Sequence, residues 1–260
     1  MKIKKITNRI YNDYFMKNRY SEYQLLIKTL LGNEYKFVTI KDNKELLSNE
    51  KHVIIRHDID SDVRIAKKMF EIEKKYNVHS TYYFRTCTFN KSLIQKINEY
   101  GSEVGYHFEE IATFVKKNKL KSKEDIIKNM DKIQELFSQN IESFEKNFNV
   151  KLSSIASHGD FINRKYQISN NYLFDEKTRK KFPNIIEAYD KEIESNLDSR
   201  ISDTVYPQFW KPQNPFDEIK EGKKNILILV HTRWWDRAPK QRLKGDFKRL
   251  IDEIKYKYYK

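Results

Sequence analysis

The run Val53-Ile54-Ile55-Arg56-His57-Asp58-Ile59-Asp60 opens with three β-branched apolar residues, ends in charge, and gives way at once to a helical pattern. Such an opening suits a strand buried on both faces, as in a parallel sheet covered by helices. Side chains alternate along a strand, so Asp58 and Asp60 emerge on one face, with His57 and Ile59 on the other. Two carboxylates at a strand's carboxyl end can bind a cation, or one can raise the pKa of the other. The plainer alternative is that Asp60 or Ser61 caps the next helix. α/β folds place their chemistry at this end of their strands.

Downstream, Val63, Ala66, Met69, Phe70 and Tyr76 recur at helical spacing, and Asn77 supplies a stop. Residues 80–86 read as a second strand, rich in aromatic and β-branched types. Asn90 then caps a helix carrying Leu93, Ile94 and Ile97, and Gly101 ends it. A third strand, Glu103-Val104-Gly105-Tyr106-His107, again finishes in polar groups: His107, Glu109 and Glu110. Strand and helix alternating at this period predict βα units and a parallel sheet.

Ser122 with Asp125 resembles a capping box, opening one long amphipathic helix whose stripe runs from Ile126 to Phe148. Residues 154–159 give a fourth strand, with His158 at its exit. The polar stretch 161–183 predicts a loop that partly covers the site. Short strands are expected at 185–189 and 200–203, and Pro207, Pro212 and Pro215 break the segment around Trp210 into turns. Ile226-Leu227-Ile228-Leu229-Val230-His231 is the clearest strand of all. Pro239 opens a basic C-terminal helix, within 237–260, that carries Leu243, Phe247, Leu250, Ile251 and Ile254 on its apolar face. Residues 1 to 50 hold a weak helix at 23–31 and a short strand at 35–40, an extension expected to pack over the sheet.

The 260 residues suit one large α/β domain. No stretch approaches the roughly eighteen apolar residues of a membrane span, and the opening Met1-Lys2-Ile3-Lys4-Lys5 leads into polar residues, so the cytoplasm is the expected compartment. Cys87 is the single cysteine, which agrees with a reducing environment and excludes a disulfide framework. The net charge of +14 is spread over lysines interleaved with Glu and Asp, which reads as a solvated surface rather than a nucleic-acid site. An anionic glycan or a membrane surface remains open as a partner.

Four strands therefore finish in Asp58 and Asp60, His107, His158 and His231, and in a closed or doubly wound parallel sheet these ends meet on one rim. Carboxylate and imidazole together suit zinc, iron, cobalt or nickel. A bound cation brings water's pKa from 15.7 toward roughly 7, where an unliganded acid or imidazole beside it can move the proton. That is hydrolase chemistry on a carbonyl. His52 and His79 lie outside the pattern.

Arg56-His57-Asp58-Ile59-Asp60, the stretch Tyr76-Asn77-Val78-His79-Ser80-Thr81-Tyr82-Tyr83-Phe84, then Gly101-Ser102-Glu103-Val104-Gly105-Tyr106-His107 and Leu229-Val230-His231 together resemble the polysaccharide deacetylase family, the NodB-homology carbohydrate esterases, over about residues 50 to 235. The resemblance implies a distorted (β/α) barrel of about seven parallel strands, with Asp58 as catalytic base and Asp60 as metal ligand, although Ile59 separates acids that are adjacent in the family. It implies His107 as a second ligand. The family's next ligand histidine falls on Ile111, which cannot bind a metal; Glu109, Glu110 or His158 could stand in, with Glu109 favoured. His231 matches the family's general acid. Asp203 and Trp210 match its Asp-and-Trp segment loosely, the aspartate tuning that histidine and the tryptophan lining a sugar pocket; Trp234 or Trp235 could stack on a sugar, and His158, if not a ligand, would face substrate. The implied activity is removal of an N- or O-acetyl group from a sugar or polysaccharide precursor in surface-polysaccharide synthesis, with zinc, or cobalt, nickel or iron, as cofactor. A metal-free carbohydrate-binding or regulatory relative, or another amidohydrolase on the same barrel, are the alternatives.

Overall fold

Nine strands make one sheet: β1 (Lys36–Phe37), β2 (His52–Ile59), β3 (Thr81–Phe84), β4 (Glu103–Phe108), β5 (Ser154–Ser157), β6 (Ile186–Glu187), β7 (Ser199–Asp203), β8 (Trp210–Lys211) and β9 (Asn225–His231). The structure is a computed structural model that describes residues 2–204, 208–237 and 239–258. The strand order is β6-β5-β4-β3-β2-β9-β7-β8, with β1 beside the start of β2. All pairings are parallel except β7 with β8. Register sets Asp58 beside His231 in β9 and Tyr83 in β3, and His107 beside Ala156 in β5. The carboxyl ends of these strands therefore leave the sheet together.

Helices α1 (Lys2–Tyr14) and α2 (Tyr20–Gly32) precede β2; α3 (Val63–Lys75) and α4 (Lys91–Tyr100) connect β2 to β4. Beyond β4 come α5 (Glu110–Asn118), α6 (Lys123–Lys128) and α7 (Met130–Phe148), and beyond β5 come α8 (Phe161–Tyr166) and α9 (Glu176–Lys181). The chain closes with α10 (Lys191–Glu194), α11 (Pro215–Lys220) and α12 (Pro239–Tyr258). Asn77, in the left-handed region at φ 52°, and Gly101, at φ 95°, end α3 and α4 as their sequence positions require.

Neighbouring residues in a parallel register share a face, so the alternation read from β2 carries across the sheet. Val53 and Ile55, with Ile226 and Ile228, pack outward against α2 and α3, while α4, α5 and α7 cover β3 to β5. The opposite face gathers Ile54, Tyr83, Ala156, Leu227 and Leu229, and this face leads into the polar rim. Truncating a buried aromatic such as Phe137 to alanine costs about 3–5 kcal/mol. Gly105 is fixed by its neighbours: a Cβ there would lie 2.3 Å from the Tyr83 ring, which crosses over it to reach Ser154.

The sheet is open rather than a closed barrel. Its end strands β6 and β8 are two residues long and, among the described residues, do not pair with each other. The stretch 161–183, expected as a loop, folds as α8, a 3-10 turn at Asn170–Leu173 and α9, because Asp160, Ser169 and Asp175 each cap a helical start. The single helix expected from Ser122 breaks at Asn129, whose side chain bonds back to the Asp125 carbonyl at 2.8 Å. Around Trp210 the expected turns include β8 and α11, the latter opened by Pro215 and capped by Asn214. Pro207, and 259–260 of the expected C-terminal helix, lie outside the described residues. The expected apolar face of α12 stays in solvent: Leu243, Phe247, Leu250, Ile251 and Ile254 are all exposed, the outer face of the sheet being already covered by α2 to α7.

Candidate metal centre

β2 delivers Asp58 and, one step past its end, Asp60; β4 delivers His107, the turn after β5 delivers His158, and β9 delivers His231. One ligand atom each from Asp60, His107 and His158 lie within 4.8 Å of one another. Asp60 Oδ1 stands 3.5 Å from His107 Nε2 and 3.4 Å from His158 Nε2. That oxygen is buried and has no hydrogen-bond partner. An orphaned carboxylate oxygen facing two imidazole nitrogens is the arrangement a divalent cation would satisfy, and one carboxylate with two imidazoles suits zinc or its neighbours.

The surroundings orient these donors. His107 Nδ1 lies 2.9 Å from the Ala156 carbonyl, which only accepts, so Nδ1 donates and Nε2 is the ring atom turned toward Asp60. His158 Nδ1 is 3.2 Å from Glu109 Oε2. Glu109 in turn is gripped by Arg85, whose Nη2 donates to both carboxylate oxygens at 2.6 and 2.7 Å while its Nη1 donates to the Asp60 carbonyl at 3.1 Å. Burial would raise the Glu109 carboxyl, but His158 and Arg85 outweigh it and hold it at about 2. Burial acts the same way on Asp60, and the His158 and His107 imidazoles reverse it, keeping the carboxyl below its ordinary range.

Asp58 is not part of the three-donor cluster but touches it, with Oδ2 3.4 Å from His107 Nε2. Arg56, two residues earlier on the same face, donates to both Asp58 oxygens at 2.8 and 3.0 Å and to the Tyr189 hydroxyl at 3.0 Å. Its guanidinium is sandwiched between the Tyr83 and Tyr189 rings, 5.0 and 4.5 Å from their centres. Burial pushes Asp58 up, Arg56, His107 and His231 together more than reverse this, and the carboxyl sits below its ordinary range.

On the neighbouring strand, His231 Nδ1 lies 2.6 Å from Asp203 Oδ1, and the His231 backbone N–H and Trp235 Nε1 donate to Asp203 Oδ2 at 2.8 and 2.7 Å. The Nδ1 side is thereby occupied and Nε2 is left for the rim. Burial lowers the His231 ring's pKa, but Asp203, Asp60 and Asp58 overcome it and bring it to about 9.

The structure thus brings together Asp58, Asp60, His107 and His158, and pairs His231 with Asp203. Glu109, expected as the third ligand, is held by Arg85, and His158, expected on the substrate, takes the place in the cluster. Glu110 is further removed still: its Oε1 accepts from the Tyr106 hydroxyl at 2.5 Å and from Asn140 at 2.9 Å, inside the helical layer. Trp210 is buried against Phe209 and Trp235 rather than offered as an open platform, though it lines a cavity of about 770 Å³ with Gln208 and Asn214. Trp234 is half-buried, with the Arg233 guanidinium 5.4 Å from its ring.

Arg56 is not among the site residues expected from the sequence, although its strand parity with Asp58 carries the signal. Arg85, at the exit of β3, had the same positional signal as the acids. Asn170 had none: buried among 161–183, it donates to the His158 carbonyl at 2.6 Å and accepts from the Ile111 N–H at 3.2 Å, tying those two positions together. Beside His158 a cavity of about 370 Å³ is lined by Ser157, Asn163, Ser169, Asn171 and Tyr189.

No family model matches the sequence, and no curated protein sequence matches it. Among solved structures, the chain is similar to a CE4 family pseudoenzyme from Bacillus anthracis, at 16% identity and a TM-score of 0.41 over 82% of this chain. The chain spans 63% of the length of that protein. It is also similar to a CE4 esterase of Streptococcus mutans, at 13% identity and a TM-score of 0.40 over 84% of this chain and 87% of that one. A family 4 acetyl xylan esterase from Clostridium thermocellum, solved with a cobalt ion, matches at 14% identity and a TM-score of 0.37 over 80% of this chain and 85% of that one.

Proposed function

We propose that this chain is a divergent polysaccharide deacetylase, a metal-dependent hydrolase that removes an N- or O-acetyl group from a sugar or polysaccharide precursor. The observation that carries the reading is the placement of the Asp60, His107 and His158 cluster beside an Arg56-held carboxylate and near an Asp203-held imidazole. Those three residues would hold the cation, zinc by the chemistry of the donors, with cobalt, nickel or iron as substitutes. When bound, the cation supplies Lewis-acid polarisation of the acetyl carbonyl and makes water more acidic.

The chain's own residues handle the protons. Asp58, kept ionised by Arg56, accepts the proton of the attacking water. His231, kept protonated by Asp203, gives a proton to the departing nitrogen or oxygen as the bond from the acyl carbon breaks. Asp203 also fixes the ring so that Nε2 is the atom that delivers. The cavity beside His158 is the place open to the neighbouring part of the sugar. The same reading takes residues 1–260 as one domain acting in the cytoplasm on a surface-polysaccharide precursor, to which the lone Cys87 lends support.

The test is elemental analysis of the purified protein together with acetate release from N-acetylated chito-oligosaccharides and O-acetylated xylan. One divalent ion per chain and acetate release that a chelator stops are the expected results. A protein that takes up no ion and still binds these glycans would instead be a metal-free binding relative.

A further inference from the structure

The spacing of Leu243, Phe247, Leu250, Ile251 and Ile254 puts them on one face of α12, where a surface helix ordinarily meets its core. Here that face is uncovered: Leu243 is 63% exposed, Phe247 64% and Leu250 53%. α12 is held by other contacts. Arg242 is buried and donates to Asp13 at 2.9 Å and to the carbonyls of Arg233 and Asp236; Asp246 accepts from Arg9 at 2.8 Å; the Tyr256 hydroxyl donates to the Val115 carbonyl at 2.7 Å. α1 packs against α12 and carries exposed Tyr11, with exposed Phe15 in the turn just after it.

The placement of this surface is specific. α12 starts just past the exit of β9, which carries His231, and its last turn reaches α5 and α8, which follow the exits of β4 and β5 with His107 and His158. It therefore crosses the end of the sheet that holds the metal-donor cluster.

Its charge is specific too. The sequences of α1 and α12 carry eleven Lys and Arg against four acids, a net +7, half of the chain's +14. A nucleic acid would answer the charge and leave the apolar stripe in water. A second copy would cover the stripe and press one basic surface on another. An anionic bilayer answers both, taking the apolar face into the acyl boundary and offering negative headgroups to the net positive charge of these two segments. No described helix is long and apolar enough to cross a membrane, so the contact is one of lying in the interface.

We propose that α12, with α1, docks the site-bearing end of this protein on an anionic membrane surface. The probe is sedimentation of the full chain with vesicles of phosphatidylcholine mixed with phosphatidylglycerol, against pure phosphatidylcholine, at low and high salt. The chain sediments with the mixed vesicles and much less with the neutral ones. Phe247→Glu with Leu250→Glu lowers the mixed-vesicle partition by about tenfold or more while the melting temperature holds, since two apolar anchors are lost from residues the fold does not bury. Absence of sedimentation with anionic vesicles overturns the proposal. So does undiminished binding by the double variant, which would reduce the effect to charge alone. A wild-type dimer in ultracentrifugation that the double variant converts to monomer, without vesicle binding, would assign the stripe to a second copy instead.

Discussion

Two buried imidazole–carboxylate pairs flank the same stretch of sheet, and they differ in what is left open. On the outer face, His57 Nε2 lies 2.7 Å from Glu73 Oε1, the Tyr23 hydroxyl donates to that same oxygen, and the Tyr82 hydroxyl donates to Oε2 at 2.5 Å. Both Glu73 oxygens are taken, His57 stacks on Tyr82 with ring centres 4.3 Å apart, and none of these four side chains reaches solvent; one atom, His57 Nδ1, is buried without a partner, but no cluster of donors converges on it among the described residues. On the inner rim, His231 pairs with Asp203 at a similar distance, yet its Nε2 stays available, and Asp60 nearby has a buried oxygen with no partner. A buried imidazole–carboxylate contact does not by itself mark chemistry. What marks it is a convergence of donors whose valence the protein leaves unfilled. The outer network ties α2, α3, β2 and β3 together; the inner one is shaped to receive something.

That contrast can be broken most forcefully at the cluster. His107→Ala is expected to abolish metal uptake and to lower acetate release by about a thousandfold or more, because a ligand goes and the cation's share of transition-state stabilisation goes with it. Full metal occupancy in that variant, by elemental analysis, would end the assignment. Asp58→Asn should keep the metal and still lose about 10²–10⁴ in kcat, the range of a lost general base. A variant empty of metal would exchange the roles of Asp58 and Asp60.

Glu73→Ala tests the other member of the comparison. It leaves His57, Tyr23 and Tyr82 buried without their acceptor, and about 3–5 kcal/mol of folding stability should go, seen as a lower midpoint in denaturant. Metal affinity in the folded protein should not move; a parallel loss of affinity would mean that the outer network also shapes the site. Arg85→Ala frees Glu109 from its grip and loosens His158, and metal affinity by competition with a chelator should weaken about 10- to 100-fold.

The gentlest handle is pH. His231 is raised from 6.5 to about 9, so the protonated form that can donate prevails below that value, and activity should fall by about tenfold per unit above it. In Asp203→Asn the alkaline limb should move down by about 1–2 units; an unmoved limb would take the proton donation away from His231. Stability carries the same sign. A folded pKa above the unfolded one gives stabilisation that is full below pH 6.5 and fades as pH rises through about 9.

Much of this site could be read from spacing. The parity of Asp58 and Asp60 against His57, the histidines at three strand exits, and the caps at Asn90 and Ser122 follow from local backbone periods that need no knowledge of the rest of the chain. Arg56 belonged to that group, since residues two apart on a strand share a face. The identity of the third donor did not. The His-aromatic-Glu run, which resembles a divergent branch of the family, favours Glu109 in the sequence, whereas the β4–β5 register with the Asn170 tie brings His158, fifty-one residues from His107, into the cluster. The chain by itself determined which residues leave the strands and on which face, because alternation is a property of the backbone. Only the tertiary structure decided which of them meet, that the sheet stays open between β6 and β8, and that the stripe on α12 finds no core, because strand order, register and the supply of surface to cover are set by the whole molecule at once.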